Sequence, residues 1–554
     1  MSTHTMMNTP LTLTAILERA GRYFPGVEVV SRVAEGKIHR TTWGSVYQRA
    51  RQLAECLHAA GLQRGDRVAT LMWNHYAHLE AYLGVPASGG VLHALNLRLH
   101  PDEIAYTANH SQDRFLICDD ILLPVLEKFK DKVKFERIFV VPHCGASAGP
   151  QTGAGEAPRS ATSVGGYEDY AAWLATATGN YQFPELSEQD AATMCFTSGT
   201  TGNPKGVLYS HRALVLHTFG LAMADSSAVS QYDSLLLVSP MFHVNGWGLS
   251  FAAAMVGAKT VLPGPFLDAA SLLDLIVNEQ VTLSCAVPTV WLGVLAEMEK
   301  RGADWRPPKP VRILCGGTAP PESLMRGLDR HGVHLNHSWG MTETSPLGTT
   351  GHLRPAMLAW PPEKQYAQRT KQGWPLPFVE TRIVNDQGIA PWDGQTVGEL
   401  EVRGPWVAGG YYNAPETKDR WTKDGWFRTG DVAAIDPDGC VRLVDRSKDL
   451  VKSGGEWISS VDLENTLMSH PAVREAGVIA VRHEKWQERP LAVVVLKPDA
   501  SATAEELREF LAAKFAKWQL PDDFVFVPEL PHTSTGKLLK AELRKRYAGW
   551  QWQG

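Results

Sequence analysis

The chain has 554 residues, 44% of them apolar and 20% charged, which is too long for one core and ordinary for a globular protein of two or more domains. A formal net charge of −5 gives no electrostatic case for nucleic acid or an anionic membrane as the partner. Seven scattered cysteines without a C-x-x-C pair argue against a disulfide framework or a zinc site, and no apolar run approaches the ~18–20 residues that span a bilayer.

The first 25 residues carry neither a basic leader nor a sustained apolar segment, so the expectation is a cytoplasmic chain. Through about residue 350, short apolar strands alternate with helical stretches. "LLLVSP" (235–240) is followed by the helix-like "NGWGLSFAAAMVG" (245–257) and then "AKTVLP" (258–263). "VRILCGG" (311–317) leads into "APPESLMRGLDRHG" (319–332), where Pro320 and Pro321 suit a helix entrance. This alternation predicts α/β layers with parallel strands, whose ligands sit beyond the strand carboxyl ends. The Gly/Ala/Ser-rich stretch 142–166 reads as a surface excursion. From about residue 373 the pattern turns to β, with "TRIVND", "GELEVRG" and "CVRLVD" between Gly/Asp turns. After "DRSKDLVKSGGEW" (445–457) a compact α+β pattern begins, so we expect a large domain over 1–445, β-rich from 373, and a small one over 446–554.

Five stretches carry candidate chemistry. "TSGTTGNPKG" (197–206) joins two apolar strands, "ATMCF" and "GVLYS". Its glycines allow tight turns with converging N–H groups, its hydroxyls donate, and Lys205 adds a charge, a combination suited to a polyphosphate. It is not a Walker A loop: the required second glycine falls on Pro204, and Gly206 follows Lys205. In "HSWGMTETSP" (337–346), Glu343 and, across the site, Thr197 offer oxygens to a hard cation such as Mg²⁺. Trp339, beside Gly340, is either a stacking platform for a flat base or a core aromatic. Asp431 in "WFRTGDVAAI" either accepts from a ribose diol or closes an Asp turn. Arg446, Lys448 and Lys452 form a basic stretch at the domain junction, and Lys537 follows a Thr-Ser-Thr-Gly turn near the chain end. Each of these alone also reads as a solvated face.

In this order and spacing the stretches resemble the adenylate-forming superfamily of acyl-CoA synthetases, luciferases and peptide-synthetase adenylation domains, over about residues 12–548. "PMFHVNGWG", "SGGEWISSVDLEN", "KWQERPLAVVV" and "FAKWQLPDDFVF" are most similar to bacterial medium- and long-chain fatty acyl-CoA synthetases. One departure is Trp339, where the superfamily usually carries Tyr. The resemblance implies layered α/β sheets plus a small β-barrel subdomain, hinged to a small α+β domain. It implies ATP, CoA and Mg²⁺ as cofactors and a two-step reaction through acyl-AMP. Thr197, Ser198, Gly199, Thr200, Thr201, Gly202 and Lys205 would wrap the phosphates, and Thr197 and Glu343 would hold Mg²⁺. Gly317, Thr318 and Ala319 with His337, Ser338 and Trp339 would form the adenine slot, and Gly340 and Thr342 would also bind the cofactor. Asp431 would fix the ribose, Arg446 would reach the ribose or a phosphate, and Lys537 would bridge the acid and the α-phosphate. Lys448 matches the hinge, whose swing would bring Lys452, Gly454, Gly455 and Trp457 to the site, where Trp457 would line the pantetheine tunnel or contact the nucleotide.

His243 and Trp247, with Gly317, would border the acid; the absence of an aspartate among His243, Val244 and Asn245 argues against an amino acid. The leading expectation is a fatty acid–CoA ligase, with a small-molecule acid, ATP and CoA as its partners and a possible homodimer. The alternatives are a short functionalised acid, such as 3-methylthiopropionate or an aryl propenoate, and a free-standing enzyme loading a carrier protein.

Overall fold

The structure is a computed structural model that describes residues 5–142, 166–197, 203–453, 456–533 and 536–552. Its centre is two sheets with helices between them. A seven-stranded sheet runs in the order 168–169, 137–141, 113–119, 67–71, 91–94, 191–196, 206–210, parallel except for the last pair. A nine-stranded sheet runs 374–375, 347–350, 333–340, 311–315, 283–286, 234–237, 259–262, 28–32, 38–42. Its six middle strands are parallel and its edges antiparallel. The expected α/β layering is therefore present, and inner strands such as 91–94, 234–237 and 283–286 are buried along their whole length, as strands covered on both faces are.

Helix Tyr76–Ala87 shows why the two sheets form one core. It is buried from Ala77 to Ala87 and touches strands of both sheets. A helix apolar all round is stable only when enclosed in this way. "APPESLMRGLDRHG" yields helix Glu322–Arg330, with Pro321 at its N-cap.

The β-rich segment forms an antiparallel sheet of five strands, in the order 388–389, 380–385, 398–403, 427–435, 441–446. The expected barrel is not closed among the described residues, because the edge strands 388–389 and 441–446 do not pair with each other. The C-terminal residues build a further sheet, 456–458, 451–453, 487–496, 473–483, with 523–526 parallel to 487–496. Helices Ser460–Met468 and Ala504–Ala512 pack on it. No helix among the described residues is long and apolar enough to cross a membrane. The six described cysteines are buried and unpaired.

Candidate active site

Four parallel strands of the nine-stranded sheet deliver the site. Their carboxyl ends, at 237, 286, 315 and 340, lead to the segments holding His243, Pro288, Gly317 and Glu343. A cavity of about 360 Å³ lies there, lined among others by Thr197, Lys205, His243, Trp247, Gly317, Trp339, Glu343, Arg446 and Lys537. It adjoins a cleft of about 1320 Å³ walled by Gly317–Ala319, His337–Gly340, Asp431 and helix 460–468 of the C-terminal part.

The polar glycine stretch is a β-hairpin loop, since strands 191–196 and 206–210 are antiparallel. Its ends are tied by Thr197 N–H to Lys205 O (2.9 Å) and Lys205 N–H to Thr197 Oγ1 (3.1 Å). Ser198, Gly199, Thr200, Thr201 and Gly202 lie outside the described residues, as do Gly454 and Gly455. The Lys205 ammonium sits 5.5 Å from the centre of the Tyr411 ring. Tyr411 in turn donates its hydroxyl to Glu343 Oε1, and Glu343 is only 5% exposed. Thus one tyrosine orients the carboxylate and underlies the lysine.

Trp339 does not stand free beside the slot. Its indole Nε1–H donates to Asp431 Oδ2 at 2.8 Å, and its ring is buried in the apolar cluster that includes Ile383, Leu400 and Phe427. Asp431 lies across the strand pair from Arg446, whose Nε is 3.4 Å from Asp431 Oδ1. The His337 ring nitrogen Nδ1 donates to Thr370 O (2.9 Å). Burial pushes its pKa down to about 4, so the ring is neutral and Nε2 is left as an acceptor.

Lys537 reaches this cavity from the C-terminal part of the chain. A Cβ added at Gly317 (φ +89°) would lie 2.8 Å from Lys537 Cε, so the left-handed backbone favours glycine there and a side chain would displace the end of the lysine. Desolvation in the cleft and, after it, the nearby Arg446 charge push the Lys537 pKa down to about 8, against the pull of Asp431 and Glu343. His243 is pushed to about 3 by burial and by the Lys537 charge, so its imidazole is neutral. Lys448 is also lowered, by burial. Lys452 and Trp457 do not join these groups: they pair with each other on hairpin 451–458, with Trp457 45% exposed.

His243 and Trp247 are presented by an unusual backbone. Val244, Asn245, Gly246, Trp247 and Gly248 have φ of +48°, +56°, +60°, +60° and +74°. The segment read as the start of a helix is thus a left-handed turn, and the right-handed helix begins only at Leu249. Left-handed helical backbone costs an L-residue ~1–2 kcal/mol, so Val244, Asn245 and Trp247 hold the turn only because their surroundings impose it. Gly248 also has no room for a side chain: its Cβ would lie 2.8 Å from the His217 ring.

The sequence reading missed Tyr411 and Arg420, which also lines the cavity; the run "GGYYN" (409–413) was the available signal. Among the described residues no group of three or more His, Cys, Asp or Glu is placed to hold a metal. Thr197 and Glu343 both line the cavity, and hard cations such as Mg²⁺ take oxygen ligands of this kind, often with phosphate completing the shell. Taken together, five cationic side chains, Lys205, Arg420, Arg446, Lys448 and Lys537, line the cavity together with the carboxylate of Glu343. That is a site for a polyanion meeting a second anion.

Comparison with known proteins adds to this geometry. Residues 17–412 match the AMP-binding enzyme family, and residues 462–537 match the AMP-binding enzyme C-terminal domain. The chain is 47% identical over 549 residues to a long-chain-fatty-acid–CoA ligase of Thermus thermophilus, covering 99% of this chain and 97% of the relative. It is 44% identical over 545 residues to a 3-methylmercaptopropionyl-CoA ligase of Ruegeria pomeroyi, covering 98% of each. The fold is similar to the crystal structure of an anthranilate CoA ligase in complex with anthranoyl-AMP, with a TM-score of 0.82 at 24% identity, over 97% of this chain and 98% of that one.

Proposed function

This chain belongs to the AMP-binding enzyme family, the adenylate-forming superfamily, and from that premise we propose that it joins a medium- or long-chain fatty acid to CoA. In the first half-reaction the carboxylate attacks the α-phosphorus of ATP, forming acyl-AMP and releasing pyrophosphate. In the second the CoA thiol attacks the acyl carbon, its proton is lost, and AMP leaves. The observation that carries the reading is Lys537 inserted against Gly317, between the nucleotide-binding groups and His243.

The residues can be assigned by what each can supply. Lys205 and the hydroxyl of Thr197 bind the β- and γ-phosphates. His337 Nε2 accepts from the exocyclic amine of adenine. Asp431 holds the ribose while its other oxygen stays on Trp339, an arrangement that a phenol in place of the indole would change. Lys537 bridges the acid and the α-phosphate and neutralises charge as the two anions approach. Neutral His243 donates to the acid without repelling Lys537. Glu343 and Thr197 would hold Mg²⁺, which would supply neutralisation of the phosphate charge.

For the second half-reaction we propose that the part after about residue 446 swings about Lys448. The swing withdraws Lys537 and brings Lys452, Gly454, Gly455 and Trp457 to the thiol. The exposure of Trp457 in the present arrangement supports this.

The competing substrate is a short sulfur-bearing acid. The 44% identical Ruegeria relative favours it, as does Trp247, buried beside Gly316 in the cavity wall. AMP release measured with acids of graded length, with and without CoA, separates these readings. Turnover that requires a carrier protein would refute CoA as the acceptor. We also propose a cytoplasmic homodimer: the unpaired cysteines suit a reducing compartment. Exposed Phe219, Met223 and Tyr232 offer apolar surface to a second copy, testable by sedimentation.

A further inference from the structure

The left-handed turn that carries His243 and Trp247 needs something to impose it, and the residues that hold its approach come from the other sheet. Asn74 lies three residues beyond the end of the strand Arg67–Leu71 of the seven-stranded sheet and is 4% exposed. Its carboxamide is fully engaged with the chain leading to the turn. Nδ2 donates to Leu237 O and Ser239 O, both at 2.9 Å, and Oδ1 accepts from Met241 N–H at 2.9 Å. The Tyr82 hydroxyl, from helix 76–87, donates to Met241 O. Both backbone polar groups of Met241 are therefore satisfied by side chains from outside its own sheet.

Only Phe242 and His243 separate Met241 from the first left-handed residue, Val244. Beyond it, Met241 and Leu237 support the turn from below: a Cβ at Gly246 would lie 3.3–3.4 Å from their side chains. Asn245 Oδ1 accepts from the Cys195 thiol at 3.7 Å. No shorter or purely accepting side chain could match two carbonyls and one N–H as the carboxamide of Asn74 does. Aspartate would face two carbonyl oxygens with an oxygen of its own.

We infer that Asn74, seconded by Tyr82, is a positioning residue for the acid half of the site: it fixes Met241 so that the strained turn presents His243 and Trp247 to Lys537. Asn74 touches no reacting atom. This inference rests on the reading above, in which the acid lies beside His243. It predicts an effect confined to the acid, because the phosphate and adenine groups sit on other segments.

The test uses the full chain, Asn74→Ala and Tyr82→Phe, and ATP–pyrophosphate exchange with acid and ATP varied separately. The expected result is a rise of about tenfold or more in the acid KM for Asn74→Ala, with the ATP KM within about twofold, as buried hydrogen bonds fixing the turn are lost. Tyr82→Phe should move the acid KM in the same direction by about threefold. In a His243→Ala background the Asn74→Ala effect should shrink, because one of the two side chains the turn presents is gone. Equal changes in both KM values, or an unchanged acid KM with a lowered Tm, would overturn the assignment. If Asn74→Ala does not fold, the KM split of Tyr82→Phe decides by the same criterion. Wild-type protein that makes no acyl-AMP from any acid would instead overturn the functional reading on which the inference stands.

Discussion

Replacing Lys537 with alanine removes a cation that the C-terminal part brings into the cavity. Its Nζ lies 3.5 Å from the position a Cβ would take on Gly317, and an ion pair with a phosphate oxygen is taken at a separation of about 4 Å. At an effective dielectric constant of about 20, that pair is worth ~4 kcal/mol, or about three decades in rate. This agrees with the ~10²–10³-fold cost of losing one preorganised donor in other enzymes. The assay is split by half-reaction. Pyrophosphate exchange should fall about 10³-fold, while thioester formation from synthetic acyl-AMP and CoA should change less than about threefold. The pH profile gives a second handle. With a pKa of about 8 in the empty cavity, Lys537 loses its proton as pH rises through that value, and nucleotide affinity should fall with it. Bound phosphate favours the ammonium, so ATP binding above pH 8 should take up a proton, visible in calorimetry across buffers of different ionisation enthalpy. Because the folded pKa lies below 10.5, the unfolded chain holds more protons between about 8 and 10.5, and stability should rise with pH across that window. Equal loss in both half-reactions, or undiminished exchange, would refute the role given to this lysine.

Glu343→Gln should raise the Mg²⁺ concentration needed for half-maximal exchange by about tenfold or more, since the charged oxygen donor is lost; an unchanged Mg²⁺ titration would remove Glu343 from the metal site. Trp339→Tyr keeps a ring but withdraws the indole N–H from Asp431, and should raise the ATP KM by about threefold to tenfold. Asp431→Ala should raise it further, and the double variant should be less than additive. Trp247→Ala opens the cavity wall beside Gly316 and should shift kcat/KM toward longer acids by about tenfold per accommodated segment of chain. A preference that stays fixed would place the chain-length determinant elsewhere.

Much of this architecture was legible in local pattern. The strand–helix alternation up to residue 350 foretold the layered parallel sheets, because a doubly covered strand must be apolar on both faces. The polar loop between "ATMCF" and "GVLYS" was visible from its glycines and hydroxyls, but its antiparallel hairpin was not, since both strand directions read alike in a short apolar run. The β-rich segment announced its strands without announcing whether its edges meet, which is a matter of pairing between distant residues. The turn at 244–248 was misread as helix because nothing local favours positive φ at Val244 or Trp247; Asn74 and Tyr82, some 160 residues away in the chain, impose it. The same holds for Trp339: its ring was foreseen beside the slot, while its hydrogen bond to Asp431 depends on a strand 92 residues later. Tyr411 escaped notice because a tyrosine in a Gly-rich turn carries no signal of the carboxylate it will meet.

The central claim is that an acid oxygen attacks the α-phosphorus of ATP in the cleft closed by Lys537. Supplying a fatty acid labelled with ¹⁸O in both carboxylate oxygens tests it directly, together with ATP, Mg²⁺ and CoA. One labelled oxygen should appear in AMP for each thioester formed, and none in pyrophosphate. Label recovered in inorganic phosphate, with ADP as the nucleotide product, would contradict the account.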